Sequence, residues 1–205
     1  MISKIKAWLN VIVVFGLILS AGCLSGSAGH PQIRNEAELP GVSDLLNRPV
    51  NPFSLGTGKA NVFIFVRTDC PISNHYAPEI QRLKEKYESQ KFSFWLVYAD
   101  GDTTASEITE HLREYRLTLS ALRDPQHALV KRAGAKVTPE AAVFLADGRE
   151  VYRGRIDDRY ADFGKERPVA TRRDLDNVLA AIVGGKPIAA TTTRAVGCYI
   201  PELGK

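Results

Sequence analysis

Cysteine is scarce in this chain: its 205 residues include three, Cys23, Cys70 and Cys198. No CxxC, CxxCH or HExxH pattern occurs, so tetrahedral zinc and covalently bound haem find no ligand set in the sequence. A large excess of one charge is also missing. The net charge is +4, and it falls to +2 (25 basic against 23 acidic) once Lys4 and Lys6 are set aside with the N-terminal segment. No basic stripe interleaved with aromatics is present, which argues against nucleic acid as a partner. Internal repeats are absent too. What is present is 44% hydrophobic residues and 24% well-mixed charge, enough for one folded domain plus an extension.

That extension is N-terminal. Met1–Lys6 is a short basic stretch, Ala7–Leu19 is apolar apart from Asn10, and Ser20-Ala21-Gly22-Cys23 follows. Charge, apolar run and small-residue exit, in that order, read as an export signal over residues 1–23. The terminal Cys makes lipidation of Cys23 the leading expectation, with an ordinary cleaved signal and an uncleaved anchor as alternatives. Ser20 stands where a lipoprotein signal usually carries Leu. Each reading puts the folded part outside the cytoplasm, on the periplasmic side of a bacterial membrane. Residues 24–40 are small, polar and Pro-containing and read as a flexible tether. The domain then spans 41–205, with a tail over 185–205.

From Asn61 the pattern alternates. Asn61–Arg67 is a continuous apolar run of strand length, as expected of a strand buried on both faces. A helix follows over Ser73–Ser89, with Tyr76, Ile80, Leu83 and Tyr87 at helical spacing. Phe92–Tyr98 is a second buried strand. Thr104-x-x-Glu107 is a capping box opening a helix that carries Ile108, Leu112 and Tyr115. Asp124-Pro125 starts another helix, ended by Gly134. Asp147-Gly148 joins Ala141–Leu145 and Glu150–Arg153 as a hairpin. Thr171-x-x-Asp174 reads as a second capping box, for a helix running to Gly184. The expected fold is α/β: a central mixed sheet with a C-terminal hairpin and helices on both faces.

This order resembles the thioredoxin-like fold, and three residues sharpen the likeness. Cys70 stands at a strand-to-helix junction, Pro78 eight residues later, and Thr138-Pro139 immediately before the hairpin. The run from Cys70 to Glu79 is similar to that of bacterial redoxin-domain proteins of the alkyl hydroperoxide reductase/thiol-specific antioxidant type. The resemblance covers roughly residues 45–185. It implies a nucleophilic Cys70, a cis Pro139 facing the site, and thiol-dependent oxidoreductase or antioxidant activity without a cofactor. The chain also departs from its models. Ser73 replaces the second Cys of thioredoxins, and Asp69 replaces the Trp before the first. Arg67 and Phe63 stand where peroxiredoxins carry Thr and Pro, so Thr68 is a candidate one residue out of register.

A Cys at a helix N-terminus faces unpaired N–H groups and the positive end of the helix dipole, which lowers a thiol pKa from about 8.5. Asp69 opposes this unless it pairs with Arg67. Cys198, in the tail, is the candidate resolving thiol; the alternative is an unpaired surface cysteine. Arg153 and Arg155 are candidates for orienting a peroxide oxygen or stabilising the thiolate. His75 is a candidate acid/base or soft-metal ligand, and the loop Asp157–Arg167 a candidate border of the site. The leading function is attack by Cys70 on a peroxide or a protein disulfide, with Cys198 or an external thiol reductant regenerating it. Two alternatives are a Cu(I)-binding protein using Cys70, Cys198 and His75, and a redox-inactive binding module.

Overall fold

Seven consecutive buried residues make Ala60–Val66 the middle strand, β1, of a five-stranded sheet. It runs parallel to β2 (Phe92–Tyr98) on one side and antiparallel to β5 (Glu140–Leu145) on the other. β3 (Ser120–Arg123) lies parallel beyond β2, and β6 (Glu150–Gly154) lies antiparallel beyond β5. The strand order is β3-β2-β1-β5-β6. The computed structural model describes residues 39–55, 58–189 and 191–203. The expected export signal with Cys23, and the tether up to residue 38, lie outside the described residues. Among the described residues, no helix is long and apolar enough to cross a membrane.

Alternation along β1 divides the core. Val62, Ile64 and Val66 face a layer made by α2 (Pro71–Tyr87), α3 (Ala105–Glu114) and α5 (Asp174–Val183), through Ile80, Leu83, Ile108, Leu175 and Leu179. Phe63 and Phe65 face the other way, toward Val42 and toward Leu129 and Val130 of α4 (Ala128–Ala133). A short turn of helix, α1 (Pro52–Leu55), adds Phe53, whose ring packs tilted against Phe63 and edge-to-face with Phe144. Each fully buried Val, Ile or Phe on β1 contributes about 1.5–3 kcal/mol, more than an exposed ion pair. This double coverage explains why β1 reads as an unbroken apolar run.

Both hydrogen bonds of the first expected capping box form: Thr104 Oγ1 accepts the Glu107 N–H, and the Glu107 carboxylate accepts the Thr104 N–H. The second does not. Thr171 gives its N–H and hydroxyl to the Asp158 carboxylate at 2.7 and 2.6 Å, and α5 starts at Asp174 without a side-chain cap. α4 also starts later than Pro125. The N-cap position falls at His127 rather than Asp124, although the Asp124 carboxylate accepts from the N–H groups of Ala128 and Val130 at 2.7 and 2.9 Å. Gly134, in the left-handed region at φ 62°, ends it as expected. β3 is the element that periodicity alone overlooks: it has four residues, and its exposed Ser120 marks a sheet edge.

Two minor strand pairs and an isolated bridge from the tail add to the sheet. β4 (Val137–Thr138) pairs antiparallel with β9 (Cys198–Tyr199), and β7 (Tyr160–Asp162) with β8 (Lys165–Glu166). The tail residue Thr192 also bridges to Arg153 on the free edge of β6.

Candidate functional site

The site begins where β1 ends. Three residues turn the chain, and Cys70, in extended conformation at φ −87° and ψ 110°, becomes the N-cap of α2. Pro71 occupies the first helical position, where its missing N–H costs nothing. The Ser73 N–H donates to the Cys70 sulfur at 3.5 Å, and the Cys70 S–H donates to the Thr138 carbonyl at 3.2 Å. The Ser73 hydroxyl, buried and without a partner of ordinary hydrogen-bond geometry, lies close enough to the sulfur to stabilise a thiolate. The peptide bond between Thr138 and Pro139 is cis, as the family resemblance implied.

The tail reaches this junction. Cys198 stands opposite Thr138 in the β4–β9 ladder, and the Thr138 hydroxyl donates to the Cys198 carbonyl at 3.4 Å. The Ile200 N–H donates to the Lys136 carbonyl, and Arg67 Nη1 donates to the Tyr199 carbonyl at 3.4 Å. Both cysteines are free thiols, and they lie near enough for each to shift the ionisation of the other. Burial alone pushes the Cys70 thiol up, but bonding from Cys198, Ser73 and Thr138 outweighs it and the net shift is down. Cys198 moves the opposite way. Burial first, and then contact with Cys70, push it up to about 12. The two shifts run in opposite directions, so Cys70 is the more readily ionised of the pair and Cys198 the more firmly protonated.

Asp69 does not undermine this. It pairs with Arg67 at 2.9 Å and points to solvent, and the same guanidinium reaches Asp100 at 3.5 Å. Other expected contributors are elsewhere. Thr68 offers its carbonyl to Asn74 Nδ2 at 3.0 Å, while the hydrogen-bond partners of the sulfur are Ser73 and Thr138. Arg153 points to the opposite face of the sheet from Tyr152 and donates to the carbonyls of Ala133 and Gly134, because alternation on β6 aims it at the end of α4. Arg155 is held by Asp174 at 2.7 Å. Neither arginine is brought to Cys70.

His75 is likewise engaged away from the sulfur. Its ring nitrogens meet the Tyr160 hydroxyl at 2.7 Å and Arg159 at 3.3 Å, with Glu166 at 3.4 Å. The loop 157–167 therefore does border the site, and Tyr160 lies near enough to Cys70 to feel its charge. Among the described residues, no cluster of three or more His, Cys, Asp or Glu could hold a metal. Reading the sequence missed a buried chain behind the junction. Asn74 gives its amide N–H to Thr68, so its oxygen accepts from His111 Nε2 at 2.9 Å, and His111 Nδ1 accepts from Tyr98 at 2.8 Å. Burial lowers the His111 pKa, so the ring is neutral and its tautomer is set by these partners.

Solved structures share this architecture. An uncharacterized conserved protein from Geobacillus kaustophilus superposes with a TM-score of 0.70 at 22% identity, covering 80% of this chain and 88% of its own. A hypothetical protein from Sinorhizobium meliloti gives 0.67 at 21%, covering 78% and 88%. A secreted Mycobacterium tuberculosis disulfide oxidoreductase, described as homologous to E. coli DsbE, gives 0.50 at 17%, covering 73% and 98%. A search of curated proteins returned no match. The Redoxin family model matches residues 34–172, a span that includes Cys70 and stops before the tail bearing Cys198. The fold is thioredoxin-like, thiol redox chemistry is its general function, and the chain belongs to the Redoxin family.

Proposed function

We propose that this protein is an exported thiol–disulfide oxidoreductase in which Cys70 is the nucleophile and Cys198 its resolving partner. The observation that carries this reading is the β4–β9 pairing, which sets Cys198 opposite Thr138, the residue whose carbonyl meets the Cys70 sulfur. The Cys70 thiolate attacks one sulfur of a partner protein's disulfide. A mixed disulfide forms, and the partner's second sulfur leaves as a thiolate. Cys198 then gives its proton to that thiolate and attacks the Cys70 sulfur, expelling the partner's remaining sulfur. The partner gains two electrons and this protein holds a Cys70–Cys198 disulfide, which an external thiol reductant reopens.

A disulfide suits the site better than a peroxide. The Thr68 carbonyl is taken by Asn74 and the Arg153 guanidinium by the Ala133 and Gly134 carbonyls, so neither is engaged at the sulfur to hold a peroxide oxygen. Export rests on residues 1–23, read as a signal that ends in lipidation of Cys23 and anchors the domain to the membrane.

Two measurements test the chemistry. Reduced protein oxidised with a stoichiometric disulfide is digested without reduction, and a peptide linking Cys70 to Cys198 is expected. Stopped-flow mixing then compares hydrogen peroxide with a peptide disulfide. Faster reaction with the disulfide, abolished in Cys70→Ser, is expected. Absence of the linked peptide, or equal rates with and without Cys70, overturns the reading.

A further inference from the structure

The two sulfurs differ sharply in access. Cys70 is 0% exposed. Ser73 and Thr138, which hydrogen-bond its sulfur, are themselves buried, whereas Cys198, opposite Thr138 on the tail, reaches solvent. Its neighbour Tyr199 is 75% exposed, so the outer surface at this point belongs to the tail.

The tail is laid on the site backbone to backbone. A Cβ at Gly197 would lie 2.0 Å from the Thr138 carbonyl oxygen and 3.1 Å from Pro139 N, atoms held by the ladder itself. Only a glycine lets the chain come this close, and the residue it delivers next is Cys198. Arg67 holds the far side through the Tyr199 carbonyl.

We infer that electrons enter this molecule at Cys198: an external dithiol attacks the Cys198 sulfur of the Cys70–Cys198 disulfide, and Cys70 is the leaving group. This inference rests on the disulfide proposed above. The donor's thiolate forms a bond to Cys198 Sγ while the Cys198–Cys70 bond breaks, and Cys70 departs with the electron pair. The donor's second thiol transfers its proton to Cys198 as it attacks the donor sulfur bonded there. It leaves as an intramolecular disulfide, and both cysteines are reduced. Access decides which sulfur is attacked, and the less basic thiol leaves faster; both criteria select the same direction here. The Ser73 N–H is already in place to receive the departing Cys70 thiolate. The partner is thus a dithiol protein that docks over Tyr199 and the exposed edge of the tail.

Reduced glutathione, a monothiol with no second thiol of its own to carry out the second step intramolecularly, lets the first be caught at early times. The wild-type protein is oxidised, and the Cys70–Cys198 link is verified by peptide mapping. It is then mixed with excess glutathione, acid-quenched at early times and mapped again. Glutathione on Cys198, at least tenfold over Cys70, with Cys70 free to alkylate, is the expected result. Adduct on Cys70, or an even division, overturns the inference while leaving the disulfide intact. Failure to form the link in the first step overturns the underlying reading, and this inference with it.

Discussion

Thr138 and Cys198 face each other across an antiparallel ladder, and the Thr138 carbonyl also receives the Cys70 S–H at 3.2 Å. One residue thus aligns both thiols. Cys70 comes to it from the end of β1, Cys198 from the C-terminal tail, and the cis Thr138–Pro139 segment is where they meet. Two cysteines far apart in sequence form a local pair without a CxxC motif. Ser73, in the place of the usual second cysteine, instead contributes its N–H to the sulfur.

The first prediction concerns Gly197. Replacing it with Val adds a side chain where even a Cβ would sit 2.0 Å from the Thr138 oxygen, so the tail must lift. Gly197→Val is expected to slow formation of the Cys70–Cys198 disulfide at least tenfold, because disulfide geometry tolerates little displacement. Alkylation of Cys70 by iodoacetamide should speed up by a similar factor. The tail contributes only a minor strand, so far-UV circular dichroism should be unchanged. A variant that still forms the disulfide at the wild-type rate would remove Gly197 from this role.

The second prediction concerns pH. Cys70 is shifted down partly by the thiol of Cys198, so Cys198→Ala should move the Cys70 titration to higher pH, read from thiolate absorbance at 240 nm. Stability of the reduced protein follows with opposite signs. The contribution from Cys70, whose folded pKa is depressed, is present above the unfolded thiol value of 9.0 and is lost as pH falls through the folded value. The contribution from Cys198 is full below that unfolded value and is lost as pH rises toward about 12. For this pair alone, stability therefore peaks near the unfolded thiol value. Urea titrations across pH 6–11, with and without the Cys198→Ala change, test the two slopes separately.

Local chemistry carried far in the sequence, and long-range placement did not. The apolar run of β1, the Thr104 capping box, Gly134 and the Asp147-Gly148 hairpin are each decided within a few residues, and they form as read. Cys70 is legible for the same reason: a strand, a Cys-Pro and a helix are contiguous. The failures all involve a distant competitor. Thr171 is taken by Asp158, Arg153 by the end of α4, and His75 by the loop 157–167. Nothing local marks the Asn74–His111–Tyr98 chain, whose members lie on three elements. One signal was available for the tail: glycine immediately before a cysteine, in a segment otherwise free to be extended.

The third prediction addresses the membrane. If Cys23 is lipidated, the full-length protein expressed in a bacterial host should incorporate labelled palmitate and partition into detergent. Cys23→Ser should abolish both while leaving oxidation of Cys70 and Cys198 unaffected. Equal labelling of the two proteins would replace the lipoprotein reading with a cleaved signal or an uncleaved anchor.

The last prediction separates two arginines that look alike in sequence. Arg67 lies beside the tail, holding the Tyr199 carbonyl and favouring a charged Cys198 by proximity. Arg67→Ala should slow the resolving step several-fold, measured as decay of a Cys70 mixed disulfide, with little effect on initial attack by Cys70. Arg153 holds the Ala133 and Gly134 carbonyls, and its guanidinium lies where a Cβ on Gly134 would go. Arg153→Ala should leave both redox steps within twofold and cost about 1 kcal/mol in urea denaturation, the value of a lost helix-terminal hydrogen bond. A charged side chain placed by sheet alternation on the wrong face cannot act on the sulfur, whatever its sequence position. If Arg153→Ala instead slowed the redox steps and left stability unchanged, that assignment would fail.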